Sequence, residues 1–530
     1  MLRSTSTARR LLVQNRLTVR RLLVAAVVLA AVAAGPAHAA DVGVVVVPPF
    51  DPQAYAERGA VGLFVPGSGQ TTSREGAIAS LVRGKVEPSV LGGTPSGRPL
   101  ISLGGRPGDV TVYVALPPPG KHANTRRYPI AIVGGGYHGI LTSRSTRIRG
   151  LVSIADVAPT ARALADGKTP RIRSSPDGNA AADLRRLDRR LADTHDVRLW
   201  ATLILVGSVL GGALLAFAFR SEYLGRAGLL AAPAVLTGSL LLAAVAVTRP
   251  WVVVLSLLGL VVGACFALAA VRRALPWALL ALVVVYLVVF AAWPEVNSLA
   301  AIGARPDGGG RFHGAGNLTE TVLLTVSLEA AALLGGWWIA AVFLLTLITI
   351  GWSHAGADGG GMIVLMVAFG VLAARMYEVR FTARRVVLGG LAAVAAVAAI
   401  VGLDAATGGS SHVTHAFRRG PVSLAEELAH RVHISAASVA SGWNEALVFA
   451  VSIVALVVLW TRPRRFPAGD ALVAGIAVSL LVNDSPGDVA SAGALSYAVL
   501  WAYERVRQPA RVVARPDSVD VDAPGVTPRA

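Results

Sequence analysis

The sequence predicts an α-helical polytopic membrane protein, with about 11 spans after a signal segment and an N-terminal extracytoplasmic α/β domain. Three observations carry this. Of 530 residues, 54% are apolar and only 15% charged, against ~45–50% and ~25% in ordinary soluble domains. Apolar runs of span-like length recur from residue 199 to 503, whereas residues 41–190 alternate short β-rich runs with Gly/Pro turns.

The charge balance fits a membrane chain. A formal charge of +18 would suggest a nucleic-acid partner in a soluble protein, but here the basic residues flank apolar runs, so no nucleic acid is expected and the bilayer is the partner. Arg outnumbers Lys 46 to 3, which reflects base composition rather than chemistry. The single cysteine, Cys265, lies inside an apolar run. That excludes a disulfide framework, a thiolate metal site and a cysteine nucleophile.

Residues 1–39 read as the signal segment. Arg9, Arg10, Arg16, Arg20 and Arg21 precede an apolar run from Leu22 to Ala34 and the small-residue stretch Ala37-His38-Ala39. A run this short spans poorly and fits a secretory h-region. Residues 40–190 then form the extracytoplasmic domain, 191–503 the transmembrane domain and 504–530 a disordered cytoplasmic tail.

Spans are expected at 199–219, 227–247, 251–270, 275–293, 318–334, 336–352, 361–375, 386–403, 445–460, 468–483 and 488–503. The division at Gly335-Gly336 separates two short helices that could also be one bent helix. The loops expected inside are dense in arginine: Arg220 and Arg226, Arg272 and Arg273, Arg375 to Arg385, and Arg462 to Arg465. Those expected outside are longer and sparser in charge, so the signal segment and the charge bias agree on one orientation, with the C-terminus in the cytoplasm.

In the first domain, strands are expected at Val44–Val47, Gly62–Val65, Val110–Leu116, Ile130–Val133 and Leu151–Ile154. Helices are expected at Arg74–Arg83 and Pro159–Ala165, which makes an α/β layer. The charged stretch Asp183 to Asp196 reads as a polar helix or linker entering the first span.

The segment Tyr128 to Gly167 contains Leu141, Thr142, Ser143, Ser145, Thr146 and Arg147, followed by Asp156, Ala158, Pro159 and Thr160 in a D-x-A-P-T turn. It resembles a late strand-loop-strand-helix unit of the alkaline phosphatase/sulfatase superfamily. More narrowly, it resembles the outer domain of polytopic bacterial membrane proteins that share the L-T-S-x-S-T-R stretch and a G-x-R-F-x-G-x-G-N stretch between spans, here Gly309 to Asn317. The resemblance implies a phosphoester-handling fold. Metal-dependent members hold two ions with several Asp and His ligands. This domain has only His122, His138 and His195, and Asp51 is its one plausible early carboxylate ligand. A degenerate, metal-free relative is expected, with no cofactor; Thr71, Thr72 and Ser73 read as an N-cap before Arg74 rather than a nucleophile.

The unusual polar loops share the predicted outer side. They contribute Arg311, His313, Asn317 and Glu320; His354 and Asp358; His412, His415, Arg418 and Arg419; and Asn483 and Asp484. Gly-rich backbone at that depth is tolerated where it is buried in protein or lines a wet cavity, so a polar pocket is expected there. Arg311, His313, His354 and His412 are its candidate catalytic residues. The His412/His415 spacing suits a metal only if a third ligand exists, and both serve equally as loop residues. Glu329 lies ~15 Å along its span; an intramembrane carboxyl is costly, so it is either functional or a protonated or paired structural residue.

These features do not choose a reaction. The leading expectation is an outer-face protein acting on a lipid-linked or cell-envelope substrate, with transfer or hydrolysis of a phosphorylated component if it is an enzyme. The alternatives are a transporter or flippase using Glu329, and a non-catalytic scaffold for envelope assembly.

Overall fold

The computed structural model describes residues 40–507 except 87–94, 96, 105–106, 309–310, 464 and most of 380–420; for 421–428 only the backbone is described. The signal segment, the run 386–403, His412, His415, Arg418, Arg419 and the tail beyond 507 lie outside the described residues. The chain forms two compact units. The first comprises residues 40–192 with Arg305–His313, and the second Asp193–Ala304 with residues 314–507.

The first unit is built on a seven-stranded mixed sheet. Its strands are β1 (Val42–Val47), β2 (Gly59–Val65), β4 (Val110–Ala115), β6 (Tyr128–Gly134), β7 (Gly139–Ser143), β8 (Leu151–Ser153) and β9 (Ile172–Ser175), with a separate hairpin of β3 (Thr71–Ser73) and β5 (Lys121–Ala123). The order is β1-β4-β6-β2-β7-β9, with β8 also pairing β2. β1/β4 and β2/β7 are parallel, while β4/β6, β6/β2 and β7/β9 are antiparallel. The all-apolar β2, GAVGLFV, is buried along its whole length, as a central strand covered on both faces should be.

All five strands expected from the sequence are present. β3, β5, β7 and β9 are additional, because TTS, KHA, GILTS and IRSS are short runs with polar residues mixed in and no clear alternation. Helix α1 (Arg74–Arg83) starts where Ser73 accepts a hydrogen bond from the Gly76 N–H at 3.0 Å and stops at Gly84 in the left-handed region. After a 3₁₀ turn at Ile154–Asp156, α2 (Val157–Ala165) packs with α1 over a core that includes Phe64, Leu81, Val112, Ile132 and Ile154.

Helix α3 (Ala180–Phe219) runs continuously for 40 residues, so the charged stretch expected as a polar helix or linker is helical and forms its first part. The second unit then contains α4 (Glu222–Ala244), α5 (Pro250–Ala270), α6 (Leu275–Ala292), α7 (Asn317–Leu334), α8 (Trp338–Gly351), α9 (Gly359–Met376), α10 (Pro421–Ala440), α11 (Trp443–Trp460), α12 (Pro467–Val482) and α13 (Pro486–Arg507). Among the described residues, seven helices are long and apolar enough to cross a membrane, and α8 and α12 are shorter apolar helices. α7 and α8 are separate: Gly335 and Gly336 both take positive φ, +64° and +56°, which ends the first helix before the second begins. α10 falls within the expected outer loop Asp404 to Trp443; its Pro start and Ala/Leu/Glu content favour helix there.

The loops of the helical unit gather at its two ends. At one end Glu222 meets both Arg226 and Arg272 at 3.2 Å, Arg375 meets Asp470 at 2.8 Å, and the Tyr377 hydroxyl donates to Gly336 O at 3.0 Å. Trp277 contacts Trp338 edge-on, and Arg465 lies over Trp460. At the other end Asn297 Nδ2 donates to Gly314 O, and Ala315 N donates to Gly356 O.

Candidate functional sites

In the helical unit, α7 supplies the centre of a polar nest. This helix is buried nearly all round, and its first turns carry Asn317 and Glu320. Asn317 Nδ2 donates to Asp484 Oδ1 at 3.3 Å, and Asn483 Nδ2 donates to Glu320 Oε2 at 3.2 Å and to Ser479 Oγ at 2.7 Å. From α10, Ser435 Oγ donates to Asn483 O at 2.5 Å and Arg431 donates to Val482 O at 3.1 Å. Glu320 is 2% exposed, Asp358 3% and Asn483 3%.

The glycine run at the start of α9 explains how these groups come so close. Asp358 caps the helix by accepting from Gly361 N at 3.1 Å. A Cβ on Gly360 would stand 2.6 Å from Asn483 Oδ1, and one on Gly361 would stand 3.1 Å from the Glu320 carboxyl carbon. The glycines therefore pack the helix N-terminus directly against Glu320 and Asn483, where the sequence reading had them lining a pocket.

In the sheet unit, two stretches that are about 160 residues apart in sequence come together. The turn after β7 is held by Thr146, which is fully buried: its hydroxyl donates to Leu151 O at 2.5 Å and lies 3.2 Å from Ser143 Oγ, which in turn accepts from Ser153 N. This turn places Arg147 at φ +54°. The stretch Arg305–His313 is tied to the same unit through Gly308, whose carbonyl accepts from Gly69 N and from Asn124 Nδ2, both at 3.0 Å. Arg147 and Arg311 both act electrostatically on His313. Burial and these two cations push the His313 imidazole down to about 3, so the ring is neutral at physiological pH. Its Nδ1 is buried and has no hydrogen-bond partner.

The other expected residues fall elsewhere. Arg311 and His313 belong to the sheet unit and His354 to the helical unit, where His354 stacks near Trp352 and lies 3.3 Å from Ser353 Oγ. Asp51 is largely exposed, accepts from Gln53 N and pairs with Arg185 at 3.6 Å. Among the described residues no group of three His, Cys, Asp or Glu has metal-binding geometry. Glu329 is 1% exposed, its Oε1 has no hydrogen-bond partner, and the charged groups acting on it are Glu504 and Arg507 of α13, which pair at 2.9 Å. Asp156 of the D-x-A-P-T turn is buried and pairs with Arg171 at 3.4 Å, while Thr160 accepts from Ile172 N.

Arg147 and Asn124 were not singled out as site residues from sequence. Arg147 stood in a quoted motif, but its electrostatic action on the distant His313 has no sequence signal; Asn124 sits in an undistinguished loop. Comparison with protein-family profiles, characterised proteins and solved structures finds no match to this chain.

Proposed function

We propose that this chain is an eleven-span protein of the bacterial plasma membrane whose sheet unit and Glu320–Asn483 end face outward, acting there on a lipid-linked or cell-envelope substrate. The observation that carries the reading is the gathering of the sparsely charged loops at one end of the helical unit, around Asn317, Glu320, Asp358, Asn483 and Asp484. The arginine-rich loops at the other end support the orientation through the positive-inside bias. The resemblance of the sheet unit to phosphoester-handling proteins makes transfer or hydrolysis of a phosphorylated envelope component the reaction class. One observation favours a second reading, a transporter: Glu329 is a fully buried carboxyl with an unpartnered oxygen on a helix buried nearly all round.

The topology test is direct. A reporter active only outside the cytoplasm gives signal when fused after Asp196 or Gly409, and none after Arg384 or Arg465. Signal at Arg465 refutes the proposed orientation. For the two readings, Glu320→Gln and Asn483→Ala abolish complementation of a deletion strain if the outer end is the working site, whereas a transporter is most sensitive at Glu329→Gln.

A further inference from the structure

We infer that Glu329 is a proton-binding residue at the deep end of a polar row on α7, and that its proton is exchanged with the Asn317 end of the helical unit past the hydroxyls of Thr325 and Thr321. The inference rests on the transporter reading of Glu329 and deepens it by naming the ion.

The row is set by helix geometry. Asn317, Thr321, Thr325 and Glu329 stand four residues apart on α7, and side chains at that spacing lie one above another on one face. All four are buried. The Thr321 hydroxyl donates to Asn317 O at 2.8 Å, and the Thr325 hydroxyl donates to Thr321 O at 2.7 Å. With their protons committed to the backbone, both oxygens keep lone pairs to offer a proton donor moving along this face. At the first turn Asn317 Nδ2 donates to Asp484 Oδ1, and Asp484 is exposed, so the row reaches the surface of the unit there.

Glu329 ends the row. It stands twelve residues from Asn317, ~18 Å along the axis, and its Oε1 has no hydrogen-bond partner. A carboxyl left open in an apolar interior is stable only when it carries a proton or holds a cation. A hard divalent ion takes about six oxygens, and among the described residues no group of three His, Cys, Asp or Glu has metal-binding geometry. A proton needs one oxygen. Its uptake forms a single O–H bond on the Glu329 carboxylate and its release breaks the same bond, with no other reactant.

The surrounding charges leave that role to the proton. α13 packs on α7, and both helices begin beside the Asn317–Asp484 bond, so they run in the same direction. Glu504 lies ~27 Å along α13 from Pro486, deeper than Glu329, and pairs with Arg507 at 2.9 Å. Tyr503, Glu504 and Arg507 are the titratable groups acting on Glu329. Arg507, the one cation among them, is thus already engaged by an acid. The other helices packed on α7 carry Tyr286 on α6, Tyr223 and the pair Glu222–Arg226 on α4, the pair Arg375–Asp470 on α9 and α12, and no titratable residue on α8.

The experiment moves the full-length protein, in phosphatidylcholine nanodiscs, from H2O to D2O and follows the infrared C=O band of buried carboxylic acids, which shifts when the acid proton becomes a deuteron. A band that is lost in Glu329→Gln is expected to exchange in the folded protein. If Glu329→Gln does not fold, Glu329→Asp, which keeps the acid and displaces its band, makes the assignment. Thr321→Val and Thr325→Val keep the side-chain shape and remove the hydroxyl, and each should slow the exchange at least tenfold. Ser327→Ala should leave the rate unchanged, because Ser327 is two residues from both Thr325 and Glu329, on the opposite side of α7, with its hydroxyl donating to Leu324 O. Melting temperatures near that of wild type confirm that the variants are folded. Absence of a Glu329 band, a band that does not exchange, or exchange unaffected by both threonine variants overturns the inference. Failed exchange while Glu329→Gln still abolishes complementation removes the proton and leaves the transporter reading. Exchange as expected, with full complementation by Glu329→Gln, supports the proton site and removes that reading alone.

Discussion

At His313, burial and the charges of Arg147 and Arg311 act in the same direction, and the consequence is a stability that depends on pH. The imidazole ordinarily titrates near 6.5 and is held down to about 3 in the fold. Below pH 6.5 the unfolded chain therefore takes up a proton that the folded one refuses. Its contribution to stability is complete above pH 6.5 and is lost as pH falls toward 3, by up to about 1.4 kcal/mol per pH unit. Thermal melts between pH 7 and 4 in phosphate-free buffer should show a steeper acid limb for wild type than for His313→Gln; equal slopes would contradict the burial of this ring beside Arg147 and Arg311. Arg147→Gly should raise stability by about 1 kcal/mol through relief of the left-handed backbone, measurable as an upward shift of the melting midpoint. Neither effect is legible in sequence, because positive φ at an arginine and the approach of a distant arginine are both set by tertiary contacts.

Elements were more readable than residues. Helices α1 and α2 announced themselves by composition, and α1 by its N-cap, which the structure places at Ser73; the Gly84 stop emerged only in the structure. Gly84 carries two constraints: φ is +63°, and a Cβ would lie 2.8 Å from Pro159 Cδ at the start of α2. Gly335, between α7 and α8, has φ +64° but open space around it. Gly84→Ala should therefore cost more than Gly335→Ala, which bears backbone strain of about 1–2 kcal/mol alone. Comparing the two melting shifts checks this, and equal shifts would mean that α2 yields easily. The glycine run at the start of α9 left two readings open in the sequence, burial in protein or lining a cavity, and Gly360 and Gly361 pack closely against Asn483 and Glu320.

The whole molecule has one feature that no local pattern contains. Arg305–His313 lies in sequence among the membrane helices but folds with the sheet unit. Replacing it with Gly/Ser residues of equal length should leave membrane insertion intact and lower the melting temperature of the sheet unit by several degrees, because the bonds from Gly69 and Asn124 to Gly308 are lost. Hydrogen exchange at Gly67–Asn124 reports the same loss locally. Unchanged exchange there would show that the stretch rests on the unit without supporting it.

The sequence by itself determined the class of the molecule and the order of its elements. Hydropathy and strand-like alternation are local properties, so the apolar helices and the five main strands could be read from neighbours alone. Tertiary structure decided which loop residues meet. Glu320 bonds Asn483 across more than 160 residues of chain, and Gly308 accepts from Asn124 across a still longer stretch, through packing that depends on every intervening element. Residue types such as Arg, His and Asn name a chemistry. Only the fold decides which of them meet.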